Sequence, residues 1–396
     1  MCSNKTTIYF DNVFSSIMKI GIICYPTYGG SGVLATELGK SLAQRGHQVH
    51  FITYRPPARL DRFQADVFYH EVRFAEYPLF DYPPYETALA SKIVDVVKNE
   101  KLDILHVHYA IPHASAAYLA KKILLAEGIY IPVVTTLHGT DITLVGKDPA
   151  YAPVVTFAIE KSDGVTAVSN SLKEQTYQFF NVKQEIQVIH NFIDLNRFDK
   201  LNKQHFRQLI APNGEKILLH VSNFRPVKRI EDVIHIFKNI VDKVPSKLLL
   251  VGDGPERQAC ERLTRELDLC NHVQFLGRQE AVEELLAISD LFILPSESES
   301  FGLAALEAMA CGVPVISSDA GGLSEVNVNG VTGFLSPVGD VESMSKHTLA
   351  LLSDDTLLDE FRANAYAHAQ DFSIDKIVPQ YEAFYQKIIA TKVYVK

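Results

Sequence analysis

The chain has 396 residues, 47% of them hydrophobic, and is therefore long enough to form two domains that each bury a core. Its formal net charge of −9 excludes a general attraction to nucleic acid or anionic lipid, so any anionic ligand needs a local site. We expect no membrane span, because no apolar run approaches the roughly 20 residues that a spanning helix requires. The five scattered cysteines lack C-x-x-C spacing, which favours a cytoplasmic protein and implies no structural zinc site.

The first half of the chain alternates between short apolar runs and helical patterns. Residues 1–17 do not resemble a signal peptide, and we expect them to form an extension outside the fold. A buried strand then follows at residues 19–24, a helix at 33–46 and a second strand at 48–53. This rhythm continues to about residue 188 and predicts a parallel sheet flanked by helices.

The same alternation starts again in the second half, with strands predicted at residues 216–222 and 247–254. The pattern breaks near residues 190–200, so the predicted fold class is α/β with two doubly wound, Rossmann-like domains. We place the domains at 18–195 and 196–372, with a C-terminal helix, 373–396, joining the first. Ligands of such sheets bind beyond the carboxyl ends of the strands, which predicts a cleft between the domains.

The first motif is a glycine-rich turn between the first strand and the first helix, with Gly29, Gly30 and Gly32. Glycines let a ligand approach the backbone, and the free amides at a helix start favour an anion. The spacing from Gly30 to Ala35 also matches a G-x-G-x-x-A dinucleotide fingerprint. The second strand ends near Arg55 without an acidic residue, so an NADP-dependent reductase remains an alternative, as does a turn with no ligand.

The second motif is VSNFRPVKR, residues 221–229, which follows a predicted strand and precedes a helix. Asn223 lies at the strand end, and Arg225, Lys228 and Arg229 bring positive charge beside the helix start. The helix dipole opposes cations there, so the cluster favours an anionic ligand. The alternative is a solvated charged loop.

The third motif extends over residues 297–322 and contains Glu299 and Glu307, eight positions apart. We predict that Glu299 precedes a helix and that Glu307 lies on its second turn. The free amides of residues 301–303 can then hold a phosphate, while the carboxylates accept hydrogen bonds from hydroxyl groups on either side. A sugar nucleotide offers that order of groups. Alternatively, Glu299 is a helix-capping acid and Glu307 an ordinary surface residue.

These motifs together identify a family. The two glutamates, the stretch 310–326, the loop 221–229 and the turn 251–256 resemble the retaining glycosyltransferases of family four, which have the GT-B architecture. Stretches at 24–47, 108–114 and 135–143 resemble the branch of that family that serves bacillithiol biosynthesis. The resemblance implies a cytoplasmic homodimer without a cofactor, which transfers N-acetylglucosamine from UDP-N-acetylglucosamine to the hydroxyl of L-malate. Another acceptor (a sugar, an inositol phosphate or a lipid) and a non-catalytic sugar-nucleotide sensor remain alternatives.

The resemblance also implies residue roles. The implied donor-binding residues are Asn223, Arg225, Lys228, Glu299, Ser300, Phe301, Gly302, Leu303 and Glu307. The acceptor-binding residues are Gly30, Ser31, Gly32, Tyr109 and Thr136, to which we add Arg59, because a dicarboxylate calls for cations. The catalytic residues are His138, Glu299 and Lys228. Many relatives have arginine where this chain has Asn223, so which side chain meets the phosphate stays open between Asn223 and Arg225.

We predict that the reaction needs no metal. His106 and His108 face the same side of a strand, but no third ligand is evident at supporting spacing, and the chain has no D-x-D pair. Charge on the leaving group would then be neutralised by Lys228, arginine and helix amides. We expect the acceptor hydroxyl to attack from the face that the nucleotide leaves. A double displacement through Glu299 remains open.

Overall fold

The structure is a computed structural model that describes residues 17–60, 64–74, 84–198 and 204–391. Residues 1–16 of the predicted extension and residues 392–396 of the predicted last helix lie outside the described residues. Among the described residues, no helix combines the length and the apolar character that a membrane crossing needs.

The first half forms one parallel sheet. Its strands are β1 (Lys19–Ile23), β2 (Gln48–Thr53), β3 (Val67–Glu71), β4 (Ile104–His108), β5 (Val133–Leu137), β6 (Gly164–Ala167) and β7 (Ile186–Val188). The helices are α1 (Gly30–Gln44), α2 (Tyr85–Glu100), α3 (Ser115–Ala126), α4 (Ala152–Lys161) and α5 (Asn170–Phe179), with π-helical turns at Ala110–Ala114 and Thr140–Leu144. The strand order is β3-β2-β1-β4-β5-β6-β7, so the chain changes direction across the sheet between β1 and β4.

The second half forms another parallel sheet. Its strands are β8 (Lys216–Val221), β9 (Ser246–Val251), β10 (Val273–Gly277), β11 (Leu291–Leu294), β12 (Val315–Ser318) and β13 (Gly333–Ser336). The helices are α6 (Gln204–Ile210), α7 (Ile230–Val241), α8 (Arg257–Glu266), α9 (Val282–Leu286), α10 (Leu303–Ala310), α11 (Leu323–Val326), α12 (Val341–Leu352), α13 (Asp355–Ala369) and α14 (Ile374–Thr391), with 3₁₀ turns at Pro226–Lys228 and Gln370–Phe372. The order β10-β9-β8-β11-β12-β13 changes direction between β8 and β11.

Both sheets are covered on both faces, which explains why their strands are almost continuously apolar. In β8, Leu218 packs into the cluster that contains α7 and α12, whereas Leu219 packs into the cluster on the opposite face. In β2, Phe51 packs with α1 and α14, whereas Ile52 packs with α2. The prediction of two doubly wound parallel sheets is therefore confirmed.

The last helix, α14, returns to the first sheet and packs against α1. Phe384 and Tyr385 are buried with residues of β1 and α1. At the surface, the Arg45 guanidinium donates two hydrogen bonds to the Glu382 carboxylate, at 2.8 and 2.7 Å. The Tyr385 hydroxyl lies 2.7 Å from Nδ1 of the buried His106. Residues distant in the sequence thus complete the core of the first sheet.

We expect Phe384→Ala to destabilise the protein. Phe384 is 6% exposed, and a Cβ added at Gly164 would lie 2.8 Å from its Cζ, so the ring fills a closely packed space. Truncation should lower the free energy of unfolding by about 3–5 kcal/mol, measured by urea titration. The control is Leu209→Ala, at a side chain that is 77% exposed, which should change stability by no more than about 0.5 kcal/mol. Equal effects of the two substitutions would contradict this packing.

Candidate active site

The glycine-rich turn lies at the carboxyl end of β1, beside the point where the first sheet changes direction. A Cβ at Gly32 would overlap the carbonyl oxygens of Tyr25 and Thr27, so the turn requires glycine there. The Ser31 hydroxyl lies 2.7 Å from the hydroxyl of Tyr109, which directly follows β4. The predicted acceptor residues Ser31 and Tyr109 are thus in direct contact at the switch point.

His138 lies directly after β5, in a turn that Asp141 organises. The Asp141 carboxylate accepts hydrogen bonds from the backbone amides of Ala110 (2.9 Å), Gly139 (3.0 Å) and His138 (3.2 Å). Burial raises the pKa of Asp141 to about 6, and these amides act in the opposite direction because they stabilise the charged form. Asp141 therefore ties the turn after β5 to the turn after β4.

The imidazole of His138 is held by a second histidine. Its Nε2 lies 2.8 Å from Nδ1 of His108, and the two rings stack with 5.1 Å between their centroids. Burial lowers the pKa of His138 to about 3 and that of His108 well below its usual range. Both imidazoles are therefore neutral at physiological pH, and His138 can offer a hydrogen bond but no charge.

Thr136 occupies a different environment from the other predicted acceptor residues. Its side chain is fully buried, and its hydroxyl lies 2.6 Å from the Thr166 hydroxyl and 2.7 Å from Nε2 of His106. The hydroxyl groups of Thr136 and Thr166 therefore belong to an internal network beneath the site. In this structure the Thr136 side chain is not exposed to the cleft, and its predicted contact with the acceptor gains no support.

The cationic loop follows β8, and its three cations have different surroundings. Arg229 pairs with Asp232 on the first turn of α7, at 2.6 Å, so its charge is already balanced. Lys228 forms an ion pair with Glu299. Arg225 and Asn223 are exposed, and Arg225 makes no ion pair with any residue that the structure describes. Arg225 is therefore the cation of this loop that remains available to an anion.

Glu299 lies in the loop between β11 and α10, and α10 begins at Leu303, with Glu307 on its second turn as predicted. The Glu299 carboxylate accepts hydrogen bonds from Lys228 and, at 2.9 Å, from the Ser296 hydroxyl. Gly302 has φ 96°, and a Cβ there would also lie 2.6 Å from the Leu323 side chain. The helix start with its free amides therefore needs glycine.

Glu307 is enclosed near the junction of the two halves. Burial raises the pKa of the Glu307 carboxyl to about 7, and the positive charges of Arg59 and Arg197 act in the opposite direction. Arg59 was predicted to bind the acceptor, but the structure brings its charge into the range of Glu307. Arg197, which follows the break between the halves, pairs with Glu283 at 3.3 Å.

The two halves meet at their switch points. A Cβ at Gly139 would overlap the Ser300 hydroxyl, and a Cβ at Gly30 would lie 3.5 Å from the Leu303 side chain. Ser169, the N-cap of α5, donates a 2.6 Å hydrogen bond to the Ser300 carbonyl. The turn with Gly139 and His138 therefore directly touches the loop that carries Glu299.

The sequence is similar to known proteins over almost its whole length. A family model described as Glycosyltransferase Family 4 matches residues 28–197, and one described as Glycosyl transferases group 1 matches residues 202–368. N-acetyl-alpha-D-glucosaminyl L-malate synthase of Bacillus anthracis is 49% identical over 94% of this chain and 97% of its own. This chain is a family-four glycosyltransferase. A D-inositol 3-phosphate glycosyltransferase of Jonesia denitrificans is 25% identical, over 91% of each chain.

Solved structures support the fold of this glycosyltransferase. Sucrose-phosphate synthase of Thermosynechococcus elongatus aligns with a TM-score of 0.78 and 23% identity, over 94% of this chain and 100% of its own. Anabaena HepE in complex with UDP and glucose aligns with a TM-score of 0.75 and 22% identity, over 93% of this chain and 99% of its own. The predicted GT-B architecture is confirmed, and the reductase hypothesis has no support.

Some residues that organise the glycosyltransferase site were not singled out from the sequence. Glu325, on α11, accepts hydrogen bonds from the backbone amides of Asn170 and Ser171, both at 2.9 Å, and thus joins the halves. Its pKa is lowered to about 2 because His190 and these donors stabilise the charged form. Asp141 lies in the stretch 135–143 that resembles the family, and its place in the sequence H-G-T-D was the available signal. For Glu325 the chain gives no local signal of its partner, because Glu325 and Asn170 are 155 positions apart.

We expect the glycosyltransferase to lose stability on mild acidification. Burial lowers the pKa of several histidines: His50, His113 and His220 to about 4, His106 and His138 to about 3, and His108 further. The unfolded chain binds these protons near pH 6.5, whereas the folded chain does not, so stability present above pH 6.5 is lost as the pH falls. Each such histidine contributes about 1.4 kcal/mol per pH unit.

The raised pKa values of Asp141 and Glu307 act in the opposite direction, because the folded chain binds those protons first. The histidines outnumber them, so the Tm measured by circular dichroism should fall between pH 6.5 and pH 5. A Tm that stays constant or rises over this interval would contradict the neutral, buried histidines.

Proposed function

We propose that this glycosyltransferase transfers N-acetylglucosamine from UDP-N-acetylglucosamine to the hydroxyl of L-malate, with retention of anomeric configuration, as the first step of bacillithiol biosynthesis. The observation that carries the proposal is the 49% identity to the Bacillus anthracis synthase over 94% of this chain. The contact between the two switch points supports it, since ligands of open α/β sheets bind there. In this proposal the first half binds the acceptor and the second half binds the donor.

The donor would lie along the start of α10. The amides of Phe301, Gly302 and Leu303 would hold the diphosphate, with Ser300 beside them and Arg225 and Lys228 supplying positive charge. Glu307 would accept hydrogen bonds from the ribose hydroxyls. Because its pKa is about 7, the ionised form that accepts both bonds is fully populated only above neutral pH.

The acceptor would bind at the turn after β1. Gly30 is exposed at the helix start, whereas Gly32 is buried. The Ser31 and Tyr109 hydroxyls are 2.7 Å apart, so these two hydroxyls would bind one carboxylate together. Arg59 would supply positive charge toward the donor side of the cleft. Thr136 would act indirectly, by positioning Tyr109. The backbone amide of Tyr109 donates a 2.9 Å hydrogen bond to the backbone carbonyl of Thr136.

The reaction would proceed on one face of the sugar. The malate hydroxyl oxygen bonds to the anomeric carbon while the bond from that carbon to the phosphate oxygen breaks, and the departing phosphate oxygen takes the proton. Glu299 would bind sugar hydroxyls, as the resemblance implies, and its carboxylate already accepts a hydrogen bond from the Ser296 hydroxyl. A covalent sugar adduct trapped on Glu299 would instead establish double displacement.

His138 would contact the transferred sugar as a neutral group. Its Nε2 is paired with His108, so the other ring nitrogen is the one available to a hydroxyl. Lys228 would move from Glu299 toward the diphosphate as charge develops on the leaving group. Lysine, arginine and helix amides would thus replace a divalent ion in this step.

Two further features of the proposal come from the resemblance. A cytoplasmic setting agrees with the free thiols of Cys24, Cys260, Cys270 and Cys311. A homodimer is implied, and apolar side chains exposed on α3 and α4, such as Leu119 and Phe157, are candidates for its interface. Sedimentation velocity would distinguish a dimer from a monomer.

The proposed reaction predicts malate-dependent release of UDP. The protein is incubated with UDP-N-acetylglucosamine, with and without L-malate and without added divalent ion, and UDP and conjugate are followed by mass spectrometry. Release that requires malate, with an α-linked product by NMR, is the expected result. Release with inositol phosphate or a sugar but not with malate would assign another acceptor, and tight donor binding without release would indicate a sensor.

Arg225→Ala should raise the KM for the donor by about tenfold or more, because it removes a charge-assisted bond to phosphate worth about 1.5–3 kcal/mol. The matched control is Arg229→Ala, four positions away in the same loop, where the charge is already balanced by Asp232. It should change the donor KM little. If Arg229→Ala has the larger effect, or Arg225→Ala has none, the phosphate assignment is wrong.

A further inference from the structure

Three potential metal ligands lie together at one edge of the first sheet, away from the central strands β1, β4 and β5. His50 is in β2, His70 is in the edge strand β3, and Glu100 is the last residue of α2. His50 pairs with Phe68 in the strand register, so His70, two residues further along, faces the same side of the sheet. Ile52 shares that side and packs with α2, so both imidazoles point toward the helix that ends at Glu100.

The geometry of the three groups suits one ion. Their ligand atoms all lie within 4.8 Å of one another, and Nδ1 of His50 is 3.0 Å from Nε2 of His70. Two imidazoles bound tetrahedrally to zinc at about 2.0–2.1 Å place their nitrogens about 3.3 Å apart. A shift of a few tenths of an ångström would therefore turn this contact into a pair of metal bonds.

The nearby lysines do not neutralise the Glu100 carboxylate. The Lys19 ammonium is directed to the Glu100 backbone carbonyl, at 3.1 Å, and Lys92 pairs with Asp95 at 2.8 Å. Neither lysine thus forms an ion pair with the Glu100 carboxylate.

The site is closed at His50 and more open at His70. His50 is 1% exposed, and its Nδ1 is the nitrogen that contacts His70; its Nε2, on the other side of the ring, takes no part in the proposed site. His70 also lines a surface groove of about 590 Å³, together with residues that include Glu71, Ser91 and Asp95. This groove gives an ion and its water ligands a path to the half-buried imidazole of His70.

We propose that His50, His70 and Glu100 bind one divalent transition-metal ion of the zinc class. Two imidazoles and one carboxylate form a donor set that zinc takes in proteins, with the fourth position left to water from the groove. The ion would join β2, β3 and the end of α2. Its place is separate from the cleft where the transfer reaction is proposed.

The test uses the tag-free, full-length chain after treatment with a chelator. Zn²⁺ alone is titrated in competition with a chromophoric chelator, and Co²⁺ is added separately to record its d–d absorption. The wild type should bind one ion per chain and show the absorption bands of a tetrahedral cobalt site. His70→Gln and Glu100→Gln should each weaken binding by at least about 100-fold, since even changes to groups behind the ligands cost about 10–100-fold.

The matched control is His235→Gln, at an exposed histidine on α7, which should bind Zn²⁺ as the wild type does. Glu100→Gln changes a helix end and leaves the core intact, so it keeps the test decisive if His70→Gln does not fold. Zinc should raise the Tm of the wild type and the control only. No stoichiometric binding, or equal binding by all four proteins, would overturn the proposal and leave a hydrogen-bonded histidine pair.

Discussion

The contact between the halves depends on glycines of the first half, which let side chains of the second half approach its backbone closely. At Gly139 there is no room for a Cβ against Ser300, and at Gly30 a Cβ would reach the Leu303 side chain. The Ser169 hydroxyl donates a hydrogen bond to the Ser300 carbonyl, and the Glu325 carboxylate accepts one from the backbone amide at the start of α5. These polar contacts hold the loop before α10, and also α11, against the start of α5, which packs beside the turn after β5. The candidate site exists because this approach brings His138 beside the residues around Glu299.

Burial controls the charge of the groups around the cleft. His108 and His138 are neutral because the surrounding core disfavours an imidazolium, and they are therefore suited to orient and to hydrogen-bond. Two opposing effects act on the Glu307 carboxyl: burial favours its protonated form, and the charges of Arg59 and Arg197 favour its ionised form. Arg225 is exposed and forms no ion pair among the described residues, so an incoming phosphate meets a cation there.

Much of the fold follows from local sequence patterns, but one helix boundary was wrong and several side-chain pairings could not be read from those patterns. The first helix was predicted to begin at Val33 but begins at Gly30, because Gly30 and Gly32 already belong to the helix and Gly29 is its extended N-cap. Arg229 was placed in the cationic cluster beside the helix start, and the structure pairs it with Asp232 on the first turn of α7, which balances its charge. Arg59 was predicted to bind the acceptor because a dicarboxylate calls for cations; that role stays a prediction, and the structure adds that the charges of Arg59 and Glu307 influence each other. Such pairings depend on side-chain direction, which a strand or helix pattern does not specify.

The sequence by itself determined the two parallel sheets, the switch-point motifs and the place of Glu299 and Glu307 around α10, because apolar periodicity and glycine positions act over a few residues. The tertiary structure alone decided which distant groups share an environment: Thr136 inside a network with His106 and Thr166, Glu325 on the amides of α5, and His50 with His70 and Glu100. Each of these groups comes from separate elements. Their proximity depends on how sheets and helices pack, and no local spacing in the chain encodes it.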